Sequence, residues 1–385
     1  MPEEELLRPT LVDRFKTFVA SRRGKAIMVV TLFVLVFGAA GLAAYTRYFS
    51  PESSAGGASS LLPSFTLSDG PAQKPGVLTG APTDEKLANR RPLAVMIENH
   101  PDARPQSGLV HADIVWEAIV EGGITRFMAI FSSEDVDKIG PVRSARPYFI
   151  HYAAGFNALY AHAGGSQAGL ALIPETKQIV ALPHAAAYFH REAQDGLASE
   201  HTLYTSTKDL YAYATEKKAS TDAKIDGFKF ADDAKSADRP SLANLSINFS
   251  SDTYKVDWTY DPTSNSYKRS LVGKPHVDRV SGDQITVKNV AVIEVERRYD
   301  ANTNQGKGEW FMTTEGSGPA KLFQNGTMIE GTWKKAGIGD MLKLSDKNGK
   351  ELSFVRGKSW FEVVPPGTEI AHEEKTAVPA VSPKP

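Results

Sequence analysis

The feature that most constrains the fold is a predicted β-hairpin in the first half of the chain. Two runs rich in β-branched and apolar residues, Ile114–Glu121 and Ile124–Phe131, flank the pair Gly122-Gly123. Paired glycines are a signal for a two-residue turn, because both central positions of such a turn can require a positive φ. With these glycines as the loop, Ile119 lies opposite Arg126.

This predicted register places charged side chains on one face of the hairpin. Side chains alternate between faces along a strand, so Glu117, Glu121 and Arg126 share a face. Arg126 is then diagonal to both carboxylates and within reach of them. One interpretation is a solvated face held by a cross-strand ion pair, which contributes about 0–1 kcal/mol. The other is a cleft lined by carboxylates whose ionisation Arg126 controls.

A proline-rich loop carries two further arginines soon after the hairpin. Pro141 and Pro147 disfavour the α region at the residues before them, so Arg143 and Arg146 are predicted on a loop. Pro147 suits the first position of a helix. Two guanidinium groups beside a helix N-terminus favour an anion. The alternative is that they form ion pairs with the hairpin glutamates or with the acidic residues that follow the hairpin.

Strands and helices alternate over the segment 89–240, which predicts an α/β or α+β domain. The pattern predicts a buried strand over Pro92–Glu98, a strand over Ala158–His162 and a helix over Thr207–Ala219. Between the last two, a glycine-rich turn leads to Ser166, a favourable N-cap for a short helix. Backbone N–H groups at a turn of this kind can face an anion.

Helical periodicity ends near residue 240, and short alternating stretches separated by turn signals fill the segment 241–368. This pattern predicts a small all-β domain. Trp258, Trp310, Trp333 and Trp360 occupy strand positions, where core packing is favoured over a platform for sugar rings. The polar, proline-ended segment 369–385 is predicted to be a disordered tail.

The first 88 residues predict a membrane anchor and a spacer. A basic segment, 1–25, precedes an uncharged apolar run that predicts a transmembrane helix over 26–45. The excess of basic residues before this run predicts a single-pass protein of the cell membrane, with a cytoplasmic N-terminus and the bulk of the chain outside. A cleaved signal peptide is the alternative. The segment 46–88 is rich in Pro, Gly and Ser and predicts a flexible stalk.

Composition excludes several kinds of chemistry. The chain has no cysteine, which excludes disulfides, thiolate metal sites and a cysteine nucleophile. Its 385 residues carry a formal net charge of −1, which argues against nucleic-acid binding. No HExxH or GxSxG motif occurs, so neither a metal nor a cofactor is predicted, and whether the chain is an enzyme stays open.

Acid–base chemistry has a short list of candidates. The candidate catalytic residues are Glu98, Glu117, Glu121 and His162. A pair of carboxylates is what hydrolysis of a glycosidic bond requires. His162 lies at the carboxyl end of a predicted strand, where ligands collect in α/β sheets. The alternatives are ion-paired carboxylates and a buried structural histidine.

Several ordered motifs resemble a known family. They are Pro92–Asn99, Ala103–Leu109, Ala112–Val115, Glu121–Phe127 and Lys138–Arg146, followed in the β part by Gly331–Trp333 and Gly357–Phe361. On these motifs the chain resembles the YerB-like family, also called domain of unknown function 3048, in both its N-terminal and its C-terminal domain. The resemblance covers Asn89 to Gly367.

This resemblance implies an envelope location and no established molecular function, since the family is bacterial and typically exported as lipoproteins. The chain departs from the family pattern in three places. It lacks the lipobox cysteine, Pro147 stands where an acidic residue is expected, and Glu200–Tyr204 stands where Pro-His-Asn before a tyrosine is expected.

The sequence therefore favours a membrane-anchored extracytoplasmic protein that binds an anionic or amino-sugar ligand of the cell envelope. The predicted ligand-binding residues are Asn99, Arg104, Gln106, Arg126, Arg143, Arg146 and Ser166. A cell-wall glycan hydrolase is one alternative. A structural partner in an envelope assembly, with the β domain as a protein-docking surface, is the other. No nucleic-acid partner is predicted.

Overall fold

A computed structural model describes residues 72–193, 195–222 and 225–375 of the chain. Within these residues no helix combines the length and the apolar character needed to cross a membrane. The predicted basic segment 1–25, the predicted transmembrane helix 26–45 and most of the predicted stalk lie outside the described residues.

The described chain is rich in strands and contains four α-helices. The helices are α1 (Glu85–Ala88), α2 (Pro147–Gly155), α3 (Gln167–Leu172) and α4 (Thr207–Glu216). The strands are β1 (Gln73–Pro75), β2 (Pro82–Asp84), β3 (Leu93–Glu98), β4 (Ile114–Ile119), β5 (Thr125–Phe131), β6 (Leu159–His162), β7 (Val180–Pro183), β8 (His190–Arg191), β9 (Leu203–Tyr204), β10 (Phe230–Ala231), β11 (Leu242–Asn248), β12 (Lys255–Asp261), β13 (Ser266–Leu271), β14 (Lys274–Pro275), β15 (Thr286–Val287), β16 (Asn289–Glu294), β17 (Arg297–Asp300), β18 (Glu309–Met312), β19 (Gly316–Gln324), β20 (Thr327–Lys335), β21 (Lys343–Asp346), β22 (Phe354–Val355), β23 (Ser359–Val364) and β24 (Ile370–Lys375).

Ten strands form one continuous mixed sheet in the order β21-β20-β19-β16-β23-β4-β5-β3-β6-β7. Its central pair joins the two halves of the sequence, because β23 is parallel to β16 on one side and to β4 on the other. Phe361 of β23 accordingly lies opposite both Ala291 and Trp116. The predicted division at residue 240 therefore does not divide this sheet.

The secondary structure on each side of residue 240 differs as the sequence predicts. After it, the described chain consists of strands and short 3-10 turns, so the predicted sheet-rich C-terminal region is confirmed. Before it, helices and strands occur together. α2 begins at Pro147 and α4 begins at Thr207, and the Ser166 hydroxyl caps α3 by accepting a hydrogen bond from Gly169 N at 3.1 Å.

The predicted hairpin is present, but its predicted register is wrong by one residue. Its loop holds three residues, since Val120 N already donates to Ile124 O at 2.7 Å. Gly122 and Gly123 both have positive φ, 68° and 74°, in a 3-10 turn. Arg126 therefore pairs with Ala118.

This one-residue difference changes the faces of the charged side chains. A shift of one residue moves a side chain to the opposite face of a sheet. Glu117 now pairs with Phe127, and Arg126 points to the other side of the ten-stranded sheet. The two residues cannot form the cross-strand pair that the sequence suggests.

A second sheet covers one face of the ten-stranded sheet. Its strands follow the order β14-β13-β12-β11-β24, with β15 paired to β13. Val115 and Phe127 of the large sheet share a hydrophobic core with Leu245 and Trp258 of the second sheet. Leu210 of α4 is buried in the same core. Successive side chains of β4 and β5 point to opposite faces of the sheet, so consecutive apolar residues on these strands make both faces apolar.

The opposite face of the ten-stranded sheet is covered by α2. Trp116, which is 1% exposed, stacks between Tyr152 of α2, at a ring-centroid distance of 4.2 Å, and Phe361 of β23, at 4.1 Å. Trp116 thus packs against both a helix from the first half of the sequence and a strand from the second. Trp258, Trp333 and Trp360 are also buried, which confirms that they are core residues, whereas Trp310 on β18 is half-buried.

Two segments that the sequence assigns to flexible regions are folded. Residues 72–88, the end of the predicted stalk, form β1, β2 and α1, and Leu78 is completely buried. Residues 370–375, the start of the predicted tail, form β24, which pairs antiparallel with β11. The hydrogen bonds that order β24 come from the exposed edge of β11, and the composition of the tail does not reveal that partner.

Replacing Trp116 with alanine should lower the free energy of unfolding by about 3–5 kcal/mol, because a large buried aromatic side chain is removed from a packed core. Urea denaturation followed by far-UV circular dichroism measures this loss. Trp310→Ala is the matched control, since it removes the same side chain from a half-buried position. Equal losses for the two variants would contradict the central position of Trp116.

Candidate functional site

One edge of the ten-stranded sheet collects most of the residues that the sequence singles out. β3, β4 and β6 run in the same direction, because β3 is parallel to β6 and both β3 and β4 are antiparallel to β5. Their carboxyl ends, at Glu98, Ile119 and His162, therefore lie at the same edge. We call this the carboxyl edge. In open sheets with parallel strands, ligands bind beyond an edge of this kind.

Behind this edge, a closed set of hydrogen bonds runs through the interior between the two sheets. We call it the buried ring, and its members are Arg269, His276, Gln106, Asn99, Thr125 and Glu117, each of them at most 4% exposed. Arg269 donates to His276 Nδ1, and His276 Nε2 in turn lies 2.7 Å from Gln106 Oε1. Burial beside Arg269 holds the pKa of His276 well below its usual range, so the ring is neutral and Nε2 carries the proton.

The same chain of hydrogen bonds continues to a carboxylate. Gln106 Nε2 donates to Asn99 Oδ1 at 3.0 Å, and Asn99 Nδ2 donates to Thr125 Oγ1 at 2.7 Å. Thr125 Oγ1 then donates to Glu117 Oε1 at 2.7 Å. Glu117 Oε2 accepts from Arg269 Nη2 at 2.6 Å, which closes the ring. Arg269 donates at both of its contacts in the ring, Glu117 accepts at both of its oxygens, and each of the other four members accepts one hydrogen bond and donates another.

A second carboxyl group adjoins the ring. Glu362 is completely buried and accepts a hydrogen bond from Trp258 Nε1 at 2.8 Å. Burial, followed by the nearby charge of Glu117, raises the pKa of Glu362 well above its usual range. Glu362 therefore holds a proton at neutral pH, while Glu117 keeps the charge that Arg269 balances. The guanidinium of Arg269 lies 4.7 Å from the ring centroid of Trp360.

The buried ring contains three of the predicted site residues, and a fourth adjoins it. Asn99, Gln106 and Glu117 are 0% exposed. Arg104 extends the ring by donating to Asn99 Oδ1 at 3.0 Å and to Thr253 O at 3.1 Å. A glycan cannot reach Glu117 in this position, which corrects its assignment as a candidate acid or base. These residues fasten the two sheets together.

A second group of charged residues lies at the carboxyl edge on the opposite face. We call Arg126, Arg146 and Glu121 the arginine cluster. Arg146 Nε donates to Glu121 Oε1 at 2.7 Å, and a second hydrogen bond joins Arg146 Nη2 to Glu121 Oε2. Burial tends to raise the pKa of Glu121, but the hydrogen bonds and charge of Arg146 outweigh it, and the pKa lies below its usual range. Glu121 is therefore the ion-pair partner of Arg146.

Arg126 has no such partner among the described residues. Its guanidinium donates to the backbone oxygen of Ser144 at 3.0 Å, and its Nε has no hydrogen-bond partner. Burial, followed by the charge of Arg146, lowers the pKa of Arg126 to about 9. A second buried arginine, Arg91, also lacks a carboxylate but donates to Asn157 O, to Asn157 Oδ1 and to Gln178 O. Arg126 is therefore the less satisfied of the two guanidinium groups.

Polar atoms from a distant hairpin lie beside the arginine cluster. Glu309 of β18 is buried, accepts a hydrogen bond from the Ser166 hydroxyl through Oε1, and has no partner at Oε2 among the described residues. Burial raises the pKa of Glu309, against the nearby charge of Arg146. A Cβ built on Gly164 would meet only Ser144 Oγ, at 4.0 Å, so the space over this glycine turn is open.

The third group at the carboxyl edge is centred on a histidine. His201 Nδ1 lies 2.8 Å from Glu98 Oε2, and both side chains are almost completely buried. Arg143 Nε donates to Glu98 Oε1 at 2.8 Å, and Arg143 Nη2 donates to Glu200 Oε1 at 3.1 Å. We call these four residues the His201 cluster. Glu98 thus contacts His201, which is not among the predicted site residues.

His162 itself is a buried histidine. It is 2% exposed, its Nδ1 lies 2.7 Å from Gly164 O, and its Nε2 has no partner among the described residues. Burial lowers the pKa of His162, so the ring is neutral. A surface cleft of about 800 Å³ lies away from His162 and is lined by Val77, Lys86, Asp222 and Asp226.

The structure therefore separates the predicted residues into two sets. Those at the carboxyl edge are Glu98, Glu121, Arg126, Arg143, Arg146, His162 and Ser166, and those in or beside the buried ring are Asn99, Arg104, Gln106 and Glu117. Sequence analysis misses Glu309 and Arg269, because the strands that carry them give no local signal of their distant partners. His201 carries a signal, since it lies within the segment compared with the family pattern.

Comparisons with known proteins identify the family of this chain. Residues 78–220 match the family described as "Protein of unknown function (DUF3048) N-terminal domain", and residues 245–361 match its C-terminal domain. The chain belongs to this DUF3048 family. It is 35% identical over 291 residues to "Putative lipoprotein YerB" of Bacillus subtilis (strain 168), a match that covers 75% of this chain and 85% of the relative.

A solved structure also resembles the described fold. The crystal structure of YerB protein from Bacillus subtilis superposes with a TM-score of 0.68 at 32% sequence identity. The match covers 77% of this chain and 99% of the crystallised one. The resemblance that the sequence motifs indicate is therefore confirmed.

Glu117→Gln and Glu362→Gln should differ strongly in stability. Glu117→Gln leaves the buried Arg269 without its counter-charge and should lower the free energy of unfolding by about 3–5 kcal/mol. Glu362→Gln replaces a protonated carboxyl with a neutral group of the same shape, at a cost below about 1.5 kcal/mol. Urea denaturation at neutral pH measures both. Equal losses would mean that the charge does not reside on Glu117.

The protonation of Glu362 can be tested separately through pH. Above its ordinary pKa of 4.5, the unfolded chain releases a proton that the native state keeps, so wild-type stability falls as pH rises towards the raised pKa. Glu362→Gln lacks this contribution and should lose less stability between about pH 5 and about pH 8. An unchanged pH dependence in this variant would show that Glu362 is ionised in the native state.

Proposed function

We propose that this chain is a membrane-anchored extracytoplasmic binding protein whose ligand is an acidic amino sugar of the cell envelope, bound at the arginine cluster. The observation that carries the proposal is Arg126. Its guanidinium is 7% exposed, its Nε lacks a partner among the described residues, and its nearest charged neighbours include a second arginine, Arg146.

Burying a guanidinium that no carboxylate balances is costly. Both carboxylate oxygens of Glu121 accept hydrogen bonds from Arg146, and Glu309 Oε1 accepts one from the Ser166 hydroxyl. An anionic group that entered beside Gly164 would accept the free Nε–H of Arg126 and balance the cluster. Charge-assisted hydrogen bonds of this kind are worth about 1.5–3 kcal/mol.

The proposed location follows from two observations outside the site. The Bacillus subtilis relative is named as a putative lipoprotein, a class of protein that is attached to a membrane by lipid. The present chain has no cysteine to lipidate, and its apolar run at residues 26–45 is long enough to serve as the anchor in its place. The positive residues before this run favour an extracytoplasmic position for the rest of the chain.

The two alternatives have weaker support. A glycan hydrolase needs two available carboxyl groups, but Glu98, Glu117 and Glu121 each form an ion pair with an arginine. A protein-docking surface requires a contiguous apolar patch. The exposed large apolar side chains of the described residues belong to separate elements and are Leu170, Val272, Val280 and Tyr299.

Two sugars test the proposal because they differ in charge. N-acetylmuramic acid carries a lactyl carboxylate that N-acetylglucosamine lacks. Isothermal titration calorimetry with the full chain in mild detergent should show binding of the first sugar and at least tenfold weaker binding of the second. Arg126→Gln should weaken binding of N-acetylmuramic acid by about 10–100-fold, since one charge-assisted contact is lost.

Arg91→Gln is the matched control for this experiment. It removes a guanidinium of nearly equal exposure, 8% against 7%, whose hydrogen bonds are already satisfied away from the carboxyl edge. Its affinity for N-acetylmuramic acid should equal that of the wild type. Equal binding of both sugars by the wild type, binding of neither, or an equal loss in both arginine variants would each reject the proposal.

A further inference from the structure

We propose that His100, Asp102 and His201 form a binding site for a divalent first-row transition-metal ion, with Zn²⁺ as the representative ion. One ligand atom from each residue lies within 4.8 Å of the ligand atoms of the other two. Two imidazole nitrogens and one carboxylate oxygen are a donor set that suits such ions. The site adjoins Glu98 in the His201 cluster and does not involve Arg126, so it is independent of the proposed anion site.

The buried side of the site prepares His201 to be a ligand. Glu98 Oε1 accepts a hydrogen bond from Arg143 Nε at 2.8 Å, and Glu98 Oε2 lies 2.8 Å from His201 Nδ1. A carboxylate only accepts, so Nδ1 donates to Glu98 and Nε2 is the nitrogen left to bind an ion. Metal-binding histidines show this arrangement, in which a carboxylate holds the nitrogen that does not bind the ion.

The other ring nitrogen of His201, Nε2, forms no hydrogen bond within the described residues. His201 Nε2 lies 4.0 Å from Glu200 Oε1, which is beyond hydrogen-bonding distance. The rings of His201 and His100 stack with centroids 4.9 Å apart. His201 is 6% exposed, and the more exposed ring of His100 stacks over it.

Small rotations of exposed side chains would complete the coordination shell. Ligand atoms around a tetrahedral zinc lie on the order of 3.4 Å apart, given zinc–nitrogen distances of about 2.0–2.1 Å. His100 Nδ1 and Asp102 Oδ2 are 3.6 Å apart, close to this spacing. His100 Nδ1 accepts a hydrogen bond from Asp102 N at 3.3 Å, which an ion bound at this nitrogen would replace. Their side chains are 34% and 59% exposed, so both can move towards His201 without disturbing the core.

Charge also favours a cation at this position. Three carboxylates, those of Glu98, Asp102 and Glu200, surround the histidines, and one guanidinium, that of Arg143, balances part of their charge. A divalent cation would neutralise the remainder. Three protein ligands leave a coordination position for water or an exogenous group, as at open zinc sites.

Binding of the ion alone tests the inference. The full chain, purified in mild detergent without a histidine tag, is titrated with Co²⁺ and followed by its visible absorption, and Zn²⁺ is then added as a competitor. We expect the intense bands of low-coordinate Co²⁺ at one equivalent, and their loss on addition of Zn²⁺. His100→Ala and Asp102→Ala, both at exposed positions, should each weaken Co²⁺ binding at least tenfold. Glu98→Gln should weaken it about 10–100-fold.

His111→Ala is the matched control. His111 also lies beside a carboxylate, with Nδ1 at 2.8 Å from Glu134 Oε2, but it is not part of the proposed set of ligands. This variant should bind Co²⁺ as tightly as the wild type. A wild-type chain that gives no such bands, or an equal loss in His111→Ala and His100→Ala, would overturn the proposal. Circular dichroism of His100→Ala confirms that a loss of binding is not a loss of fold.

Discussion

The ion pair between Glu117 and Arg269 is the constraint on which the described structure depends. It joins β4 of the ten-stranded sheet to β13 of the six-stranded sheet at 2.6 Å, and both side chains are 0% exposed. Charges buried in this way require both a partner and hydrogen bonds for their remaining polar atoms. The buried ring supplies these bonds from loops and strands on each side of residue 240. The two sheets therefore have one relative arrangement in which the ring closes.

The polar side chains at the carboxyl edge are less completely paired than those of the buried ring. In the buried ring, Asn99, Gln106 and Thr125 each accept one hydrogen bond from one member and donate another to the next. At the edge, by contrast, Arg126 keeps an unpaired Nε, and His201 keeps a free nitrogen beside exposed His100 and Asp102. These polar groups are positioned by buried neighbours but keep an unpaired nitrogen, so they are the proposed groups for binding a ligand.

Local patterns in the sequence predict the elements of this fold better than their pairing. Pro147, Ser166 and Thr207 mark helix starts, because caps and proline act on neighbouring backbone groups. The predicted hairpin register is wrong by one residue, because the same pair of glycines is compatible both with the predicted two-residue loop and with the three-residue loop of the structure. The parallel pairing of β23 with β4 is formed by residues about 245 positions apart, and no local pattern reports it. Glu309 and Arg269 likewise contact residues that are far away in the sequence, so no local pattern predicts them as site residues.

The most direct test of this account is to cut the chain between residues 240 and 241 and measure folding of the first fragment by circular dichroism and urea denaturation. Without β23, the fragment exposes β4 as a sheet edge and leaves Glu117 buried without Arg269. The account predicts that residues 1–240 alone show no cooperative unfolding and that addition of residues 241–385 restores it. A first fragment that folds cooperatively alone, with the stability of the whole chain, would contradict the account.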